Sequence, residues 1–415
     1  PIGALGDLLA AAVNANVGGF MLAPIATEIE RQTIAWIAEL LGYPTDCGGL
    51  LVSGGNMANF VGFWVGRRVK APFDVREGGL LRGGRQLRVY VSSETHTWIQ
   101  KAADLSGIGT AAIRWIPADT SGRLDPALLR AAIVRDREAG DCPVLAVATA
   151  GSVSTGAIDP LAEIADVCRE HDLWFHVDGA YGAPAAALPE APGNLRALAR
   201  ADSVAIDPHK WLYAPLEAGC VLVRDATLLR DTFSYHPPYY PDAKDEGEAP
   251  TFFYEFGPQN SRGFRALKVW LGLQQAGRDG YVQLIRDDIA LAAALYEAAE
   301  QHAELEAFTR ELSIATFRYC PADLTDRTVP RGNAVPDEHA VERYLADLNK
   351  TIAERLQVGG EAFVTHAIVN GRYVLRACVV NFRTTRADVL ALPDLVVRLG
   401  READAERRPA AALGQ

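Results

Sequence analysis

From residue 87 to residue 223 the chain alternates short apolar, β-branched pieces with stretches of helical periodicity, and this alternation limits the fold more than any other feature. Strand-like pieces are read at 87–91, 111–116, 144–149, 174–177, 203–206 and 219–223, with helical ones at 100–105, 126–139 and 161–171. Parallel neighbours need a crossover connection, usually a helix, so the pattern predicts an α/β domain on a mostly parallel sheet. Ahead of it, residues 24–41 carry apolar side chains at helical spacing and stop at Gly42. A short apolar piece then breaks into Ser53-Gly54-Gly55-Asn56 before a helical run through Arg68.

Residues 235–257 differ in kind, being rich in Pro, Tyr, Asp and Glu. A loop of this length inside a compact domain is read as an active-site lid, with a plain connection as the alternative. Helical patterns resume at 265–275 and 280–300, and the second of these leads into a smaller α+β domain. Strands are expected there at 314–319, 362–369 and 373–382, the last two joined by the hairpin turn Asn370-Gly371, with helices at 338–356 and 386–399. The division is placed between residues 278 and 279, and the Ala-rich end after Arg401 is expected to fray.

The net charge of −11, without clustered Lys and Arg, argues against a nucleic-acid partner. Six scattered cysteines show no metal or disulfide spacing, which predicts reduced thiols and a cytoplasmic protein. No run of eighteen apolar residues and no leader-like start is seen, so neither a membrane span nor a signal peptide is expected; the chain begins at Pro1 without Met, and upstream sequence is anticipated.

The chemistry collects at the expected carboxyl ends of the strands, where open α/β sheets place ligands. His176 and Asp178 stand two apart on one strand and emerge on one face. Alone they fit a His-x-Asp metal site or a polar strand end equally well. Lys210, in Asp207-Pro208-His209-Lys210-Trp211, follows one crossover later at the same edge. An amine flanked by Trp211, Leu212 and Tyr213 is read as a desolvated Schiff-base nucleophile. A lysine for an aldehyde and a carboxylate for a pyridine nitrogen are what pyridoxal 5'-phosphate requires.

The other segments fit that cofactor. Ser53-Gly54-Gly55-Asn56 feeds a helix whose free N–H groups suit a phosphate, although an ordinary N-cap turn reads the same way. Residues 149–156, Thr-Ala-Gly-Ser-Val-Ser-Thr-Gly, offer hydroxyls, and Asp159 is expected to orient His176. His96 follows the strand 87–91 and is placed to stack on the pyridine ring, a structural histidine being the alternative.

Assembled, Ser53-Gly54-Gly55-Asn56, Thr95-His96, His176-Val177-Asp178-Gly179-Ala180-Tyr181, Asp207 to Trp211 and Arg262 to Trp270 resemble the group II pyridoxal-phosphate decarboxylases, aromatic-L-amino-acid decarboxylases above all. The resemblance runs from about Leu5 into the C-terminal domain. It implies fold type I, with a mostly parallel seven-stranded sheet, and a homodimer with shared active sites. It implies Lys210 as the Schiff-base lysine, Asp178 at the pyridinium nitrogen, His96 stacked on the ring, and Gly55, Asn56 and His209 at the phosphate. Ala180 joins the cofactor set; Ser152 and Ser154 stand in for a threonine that many members carry where this chain has Val153. Gly55-Asn56 departs from the small residue and serine often found at the phosphate, and the family's N-terminal arm is missing before Pro1.

In the family a loop tyrosine returns a proton to the substrate carbon, and members lacking it divert to an aldehyde. Tyr254 is the candidate, yet counting back without gaps from Arg262 puts that tyrosine on Phe253. Both readings stay open here, as do decarboxylase, aldehyde synthase and a silent cofactor-binding homologue. A nucleotide-binding Rossmann protein fits less well, since no GxGxxG follows the early strand. Trp98, Phe20, Tyr239, Tyr240, Phe252 and Phe253 are read as able to line an apolar pocket; the glycines of Asn16-Val17-Gly18-Gly19-Phe20 are read as leaving room for an aromatic substrate. The resemblance implies a slight lean toward a phenolic one from Ser261, since in plant members serine at this place tends to accompany phenolic substrates and glycine indolic ones.

Overall fold

The computed structural model describes residues 2–80, 83–235, 251–325 and 338–408. It divides into two compact units, Pro1–Ser152 with Ile158–Gln283, and Val153–Ala157 with Leu284–Gln415.

The first unit is built on β1 (Gly48–Val52), β2 (Leu87–Ser92), β3 (Ile113–Ile116), β4 (Cys142–Thr149), β5 (Trp174–Asp178), β6 (Ser203–Ile206) and β7 (Gly219–Val223). They form a seven-stranded sheet in the order β1-β7-β6-β5-β4-β2-β3. The β3, β2, β4, β5 and β6 ladders are parallel, whereas β7 runs antiparallel to both β6 and β1. Two reversals leave β1 pointing the same way as β6, so the carboxyl ends of β1, β2, β4, β5 and β6 share one edge. Strands β4 to β7 are nearly continuous apolar runs because both faces are covered. The helix Gly55–Lys70 crosses β4, β5, β6 and β7 on one face.

Helix Ile2–Val13 lies outside the expected elements, and it leaves Leu5, Leu8, Leu9 and Val13 exposed. The helical run Ala266–Gln301 is broken at Gly277, whose φ of 65° and ψ of 178° no helix accommodates. That break separates the two helical patterns read from the sequence.

The second unit carries β8 (Leu305–Glu311), β9 (Ile314–Tyr319), β10 (Thr365–Val369) and β11 (Arg372–Cys378), antiparallel in the order β10-β11-β9-β8. The Asn370-Gly371 turn has positive φ at both residues, 50° and 77°, as a tight hairpin of this type needs. Helices Glu338–Gly359 and Arg386–Arg407 cover the sheet around Phe317, Leu345, Ile352 and Val396. Strand β8 was not expected. Its residues are mostly half-buried, and its turn to β9 is Leu312-Ser313 rather than a Gly or Asn pair. The end expected to fray after Arg401 is helical through Arg407.

Candidate active site

Strand β6 ends at Ile206, and the chain turns through Asp207 into the short helix Pro208–Trp211. Lys210 Nζ lies 3.0 Å from Asp207 Oδ2, and His209 Nε2 lies 3.8 Å from the same oxygen. Burial pushes the Asp207 carboxyl above its ordinary range, while the Lys210 and His209 charges pull it back. The second oxygen, Oδ1, is buried and has no partner among the described residues. The aromatic flank expected to surround the amine faces elsewhere: Trp211 is fully buried and stacked on Tyr181 at 5.0 Å, and Leu212 is buried too. Successive residues on one helical turn point to different sides, and the neighbour of the amine is Asp207, to which the sequence reading gave no role of its own.

Asp178 ends β5 beside Thr149 of β4 and Ala205 of β6. Its Oδ2 accepts the indole N–H of Trp98 at 2.7 Å and its Oδ1 accepts the amide of Ala180 at 3.2 Å. Trp98 is fully buried, so it is not the pocket wall the sequence suggested. His176, two residues earlier, is fully buried against the helix Gly55–Lys70. Its Nε2 lies 2.8 Å from Asn59 Oδ1 and its Nδ1 2.7 Å from the Ser203 hydroxyl, which also accepts the Trp174 indole at 2.8 Å. Burial drops its pKa to about 4, so the ring is neutral at pH 7.

Asp159 does not orient His176. Both its oxygens are taken by backbone, the amides of Thr149 at 2.7 Å and Leu124 at 2.8 Å, and burial pushes its pKa up to about 6. It secures the end of β4 instead. Just beyond, Ser152 is buried, Val153 is exposed, and Ser154 is half-buried in the short segment grouped with the second unit.

Gly54 (φ 124°) and Gly55 open the helix Gly55–Lys70, which has no side-chain cap. A Cβ on Gly55 would sit 2.5 Å from Asp207 Oδ2, so only glycine lets the helix start this close to the lysine turn. His209 Nδ1 lies 2.7 Å from the Ala218 carbonyl, which anchors that ring beside Gly54. His96 is exposed on the loop after β2, and its Nδ1 accepts the amide of Trp98 at 3.2 Å.

Tyr254 lies in the single turn Phe253–Glu255, half-buried, with its amide donating to the Gly18 carbonyl at 3.0 Å. Phe253 is buried with the Arg262 guanidinium 4.8 Å from its ring centroid, and Phe252 is also buried. Arg262 is itself buried, paired with Glu30 and donating to the Leu51 carbonyl at 2.6 Å. Gly18 leaves no room for substrate: a Cβ there would fall 1.9 Å from the Asn260 carbonyl oxygen, so its size serves a backbone crossing. Phe20 is half-buried, Ser261 is exposed, and Tyr239 and Tyr240 lie outside the described residues.

The fit to a phosphorylated pyridine aldehyde can be judged from these groups. An uncapped helix start suits a phosphate. A buried carboxylate held by two donors suits a ring nitrogen, and the buried hydroxyls of Thr95 and Thr149, without partners among the described residues, add unsatisfied polar atoms near the same edge. Residues 2–320 match the pyridoxal-dependent decarboxylase conserved domain. The chain belongs to this family. Pyridoxal phosphate is therefore its cofactor. An aromatic-L-amino-acid decarboxylase of Bacillus atrophaeus is 33% identical over 402 residues, 97% of this chain and 79% of that protein. A phenylacetaldehyde synthase from a Rosa hybrid cultivar is 30% identical, covering 91% of this chain and 73% of its own length. The crystal structure of Oryza sativa TDC with PLP and tryptamine superposes with a TM-score of 0.86 at 31% identity, over 97% of this chain and 81% of that one.

Proposed function

We propose that this decarboxylase acts on an aromatic L-amino acid, releasing the amine and carbon dioxide. The observation that carries the reading is the convergence of Lys210, Asp178, His96 and the Gly54-Gly55 helix start on one sheet edge, in a chain similar to an aromatic-L-amino-acid decarboxylase along nearly its whole length. When bound, pyridoxal phosphate supplies an electron sink for the pair left as the carboxylate departs. Lys210 would hold the aldehyde group of the cofactor. The Gly55 and Asn56 amides and His209 would bind the phosphate, with Ser152 and Ala180 completing the cradle. Asp178 keeps a proton on the ring nitrogen, where it stabilises charge that develops only in the transition state. His96 covers one ring face, and the Tyr254 hydroxyl returns a proton to the substrate α-carbon.

Incubating the holoenzyme with each of the twenty amino acids and scoring amine and aldehyde by mass spectrometry tests this. Amine from tryptophan, tyrosine, phenylalanine or a hydroxylated relative is the expected result. Turnover of glutamate alone would overturn the substrate class.

One observation favours a second reading, an aldehyde synthase that consumes dioxygen as its oxidant. The gap-free position of the family's tyrosine is Phe253, which carries no proton to give. Ammonia and peroxide in step with aldehyde would establish it; stoichiometric amine would eliminate it.

The functional unit we propose is a homodimer in the cytoplasm. Helix Ile2–Val13 exposes Leu5, Leu8, Leu9 and Val13, with Met21, Leu22 and Ile25 exposed shortly after, an apolar surface suited to a second copy. The six cysteines are all free, as a reducing compartment would keep them, and no described helix is long and apolar enough to cross a membrane.

A further inference from the structure

The proposed reaction gives Trp98 nothing to do as acid, base or nucleophile, yet its position is too specific for filler. A buried indole N–H needs an acceptor, and most find a backbone carbonyl or water. This one finds the Asp178 carboxylate at 2.7 Å, the charge-assisted kind of bond that is shorter and stronger than a neutral one. The second carboxylate oxygen is held by the Ala180 amide, so both oxygens have directions fixed by protein donors. The indole is in turn held edge-on against His176, ring centroids 5.8 Å apart and planes at 80°, and His176 is pinned by Ser203 and Asn59. At its backbone end the same residue donates its amide to His96 Nδ1, which places the ring hydrogen of that imidazole on Nε2. Trp98 thus joins the residue assigned to the face of the cofactor ring with the residue assigned to its nitrogen.

We propose that Trp98 is the positioning residue of the cofactor ring: its indole N–H fixes the direction in which the Asp178 carboxylate meets the pyridine nitrogen. The inference rests on the assignment of Asp178 to that nitrogen. Trp98→Phe keeps the ring and removes the donor. Loss of a hydrogen bond to a charged group predicts a roughly ten- to hundredfold weaker binding of pyridoxal phosphate to the apoenzyme. It also predicts a displaced visible absorption band in the loaded protein, and a fall in kcat larger than any change in KM.

A thermodynamic cycle separates positioning from packing. In an Asp178→Asn background, Trp98→Phe should cost little further cofactor affinity if the indole acts through the carboxylate; additive losses would overturn the proposal. If Asp178→Asn alone leaves affinity and band unchanged, the site assignment fails. If it weakens both and Trp98→Phe weakens neither, only the role of Trp98 fails. Should Trp98→Phe not fold, nitrogen-15 labelling of the seven tryptophans provides the check. Asp178→Asn must shift one indole N–H resonance upfield in the otherwise unaltered protein, and an unchanged spectrum would refute the bond.

Discussion

In the proposed reaction Lys210 and Tyr254 act at the scale of single residues, and each makes a separable prediction. Lys210→Ala should abolish the borohydride-fixed cofactor adduct seen by mass spectrometry, while cofactor held only through its phosphate still dialyses away. A fixed adduct in that variant would mean that another amine holds the aldehyde. Tyr254→Phe should move product from amine toward aldehyde and peroxide with little loss of substrate binding. Phe253→Ala should instead cost about 3–5 kcal/mol of stability, read from thermal or urea melts, with the product ratio unchanged, because it empties a buried site under Arg262. The choice between the two rings could not be made by counting residues. What separates them physically is the Arg262 guanidinium over the Phe253 ring, a contact between positions nine apart in an irregular segment.

Elements explain what was legible and what was not. Alternating β-branched and helical pieces revealed β2 to β7 because buried parallel strands have to be apolar runs. The lysine turn and the Asp178 strand end followed from that pattern. Asp207, Asn59 and Ser203 did not, because their roles come from packing one element on another: the Gly55–Lys70 helix brings Asn59 to His176, and β6 brings Ser203 to the same ring. The close start of that helix makes a prediction of its own. Gly55→Ala would force a methyl to within 2.5 Å of Asp207 Oδ2, so cofactor affinity should fall at least tenfold by fluorescence titration while circular dichroism stays native. Normal affinity would show that the turn has room to yield.

Acid response and assembly belong to the whole molecule. His176 is held at about 4, below its unfolded value near 6.5. Between these two pH values the unfolded chain binds a proton that the folded chain refuses, so stability falls as pH falls through this window, by roughly 3 kcal/mol in all. Asp159, raised to about 6, acts with the opposite sign: protonation of the folded carboxyl favours the fold as pH falls toward 4. The thermal midpoint of His176→Gln should therefore drop less on acidification from pH 6.5 to pH 4 than that of the unaltered protein; parallel curves would rule the effect out. For assembly, Leu8→Glu with Leu9→Glu should halve the mass measured by sedimentation and remove activity, and an unchanged mass would discard the N-terminal face as the interface.

The contact between Lys210 and Asp207 has a kinetic consequence. An ammonium cannot attack an aldehyde; it must first give up a proton, and ordinarily a solvent base must arrive to take it. Here the acceptor stands 3.0 Å away, buried, with its proton affinity already raised by its surroundings. In the role proposed for Lys210, Asp207 would take that proton internally, and the rate of cofactor loading should then be indifferent to the concentration of external buffer.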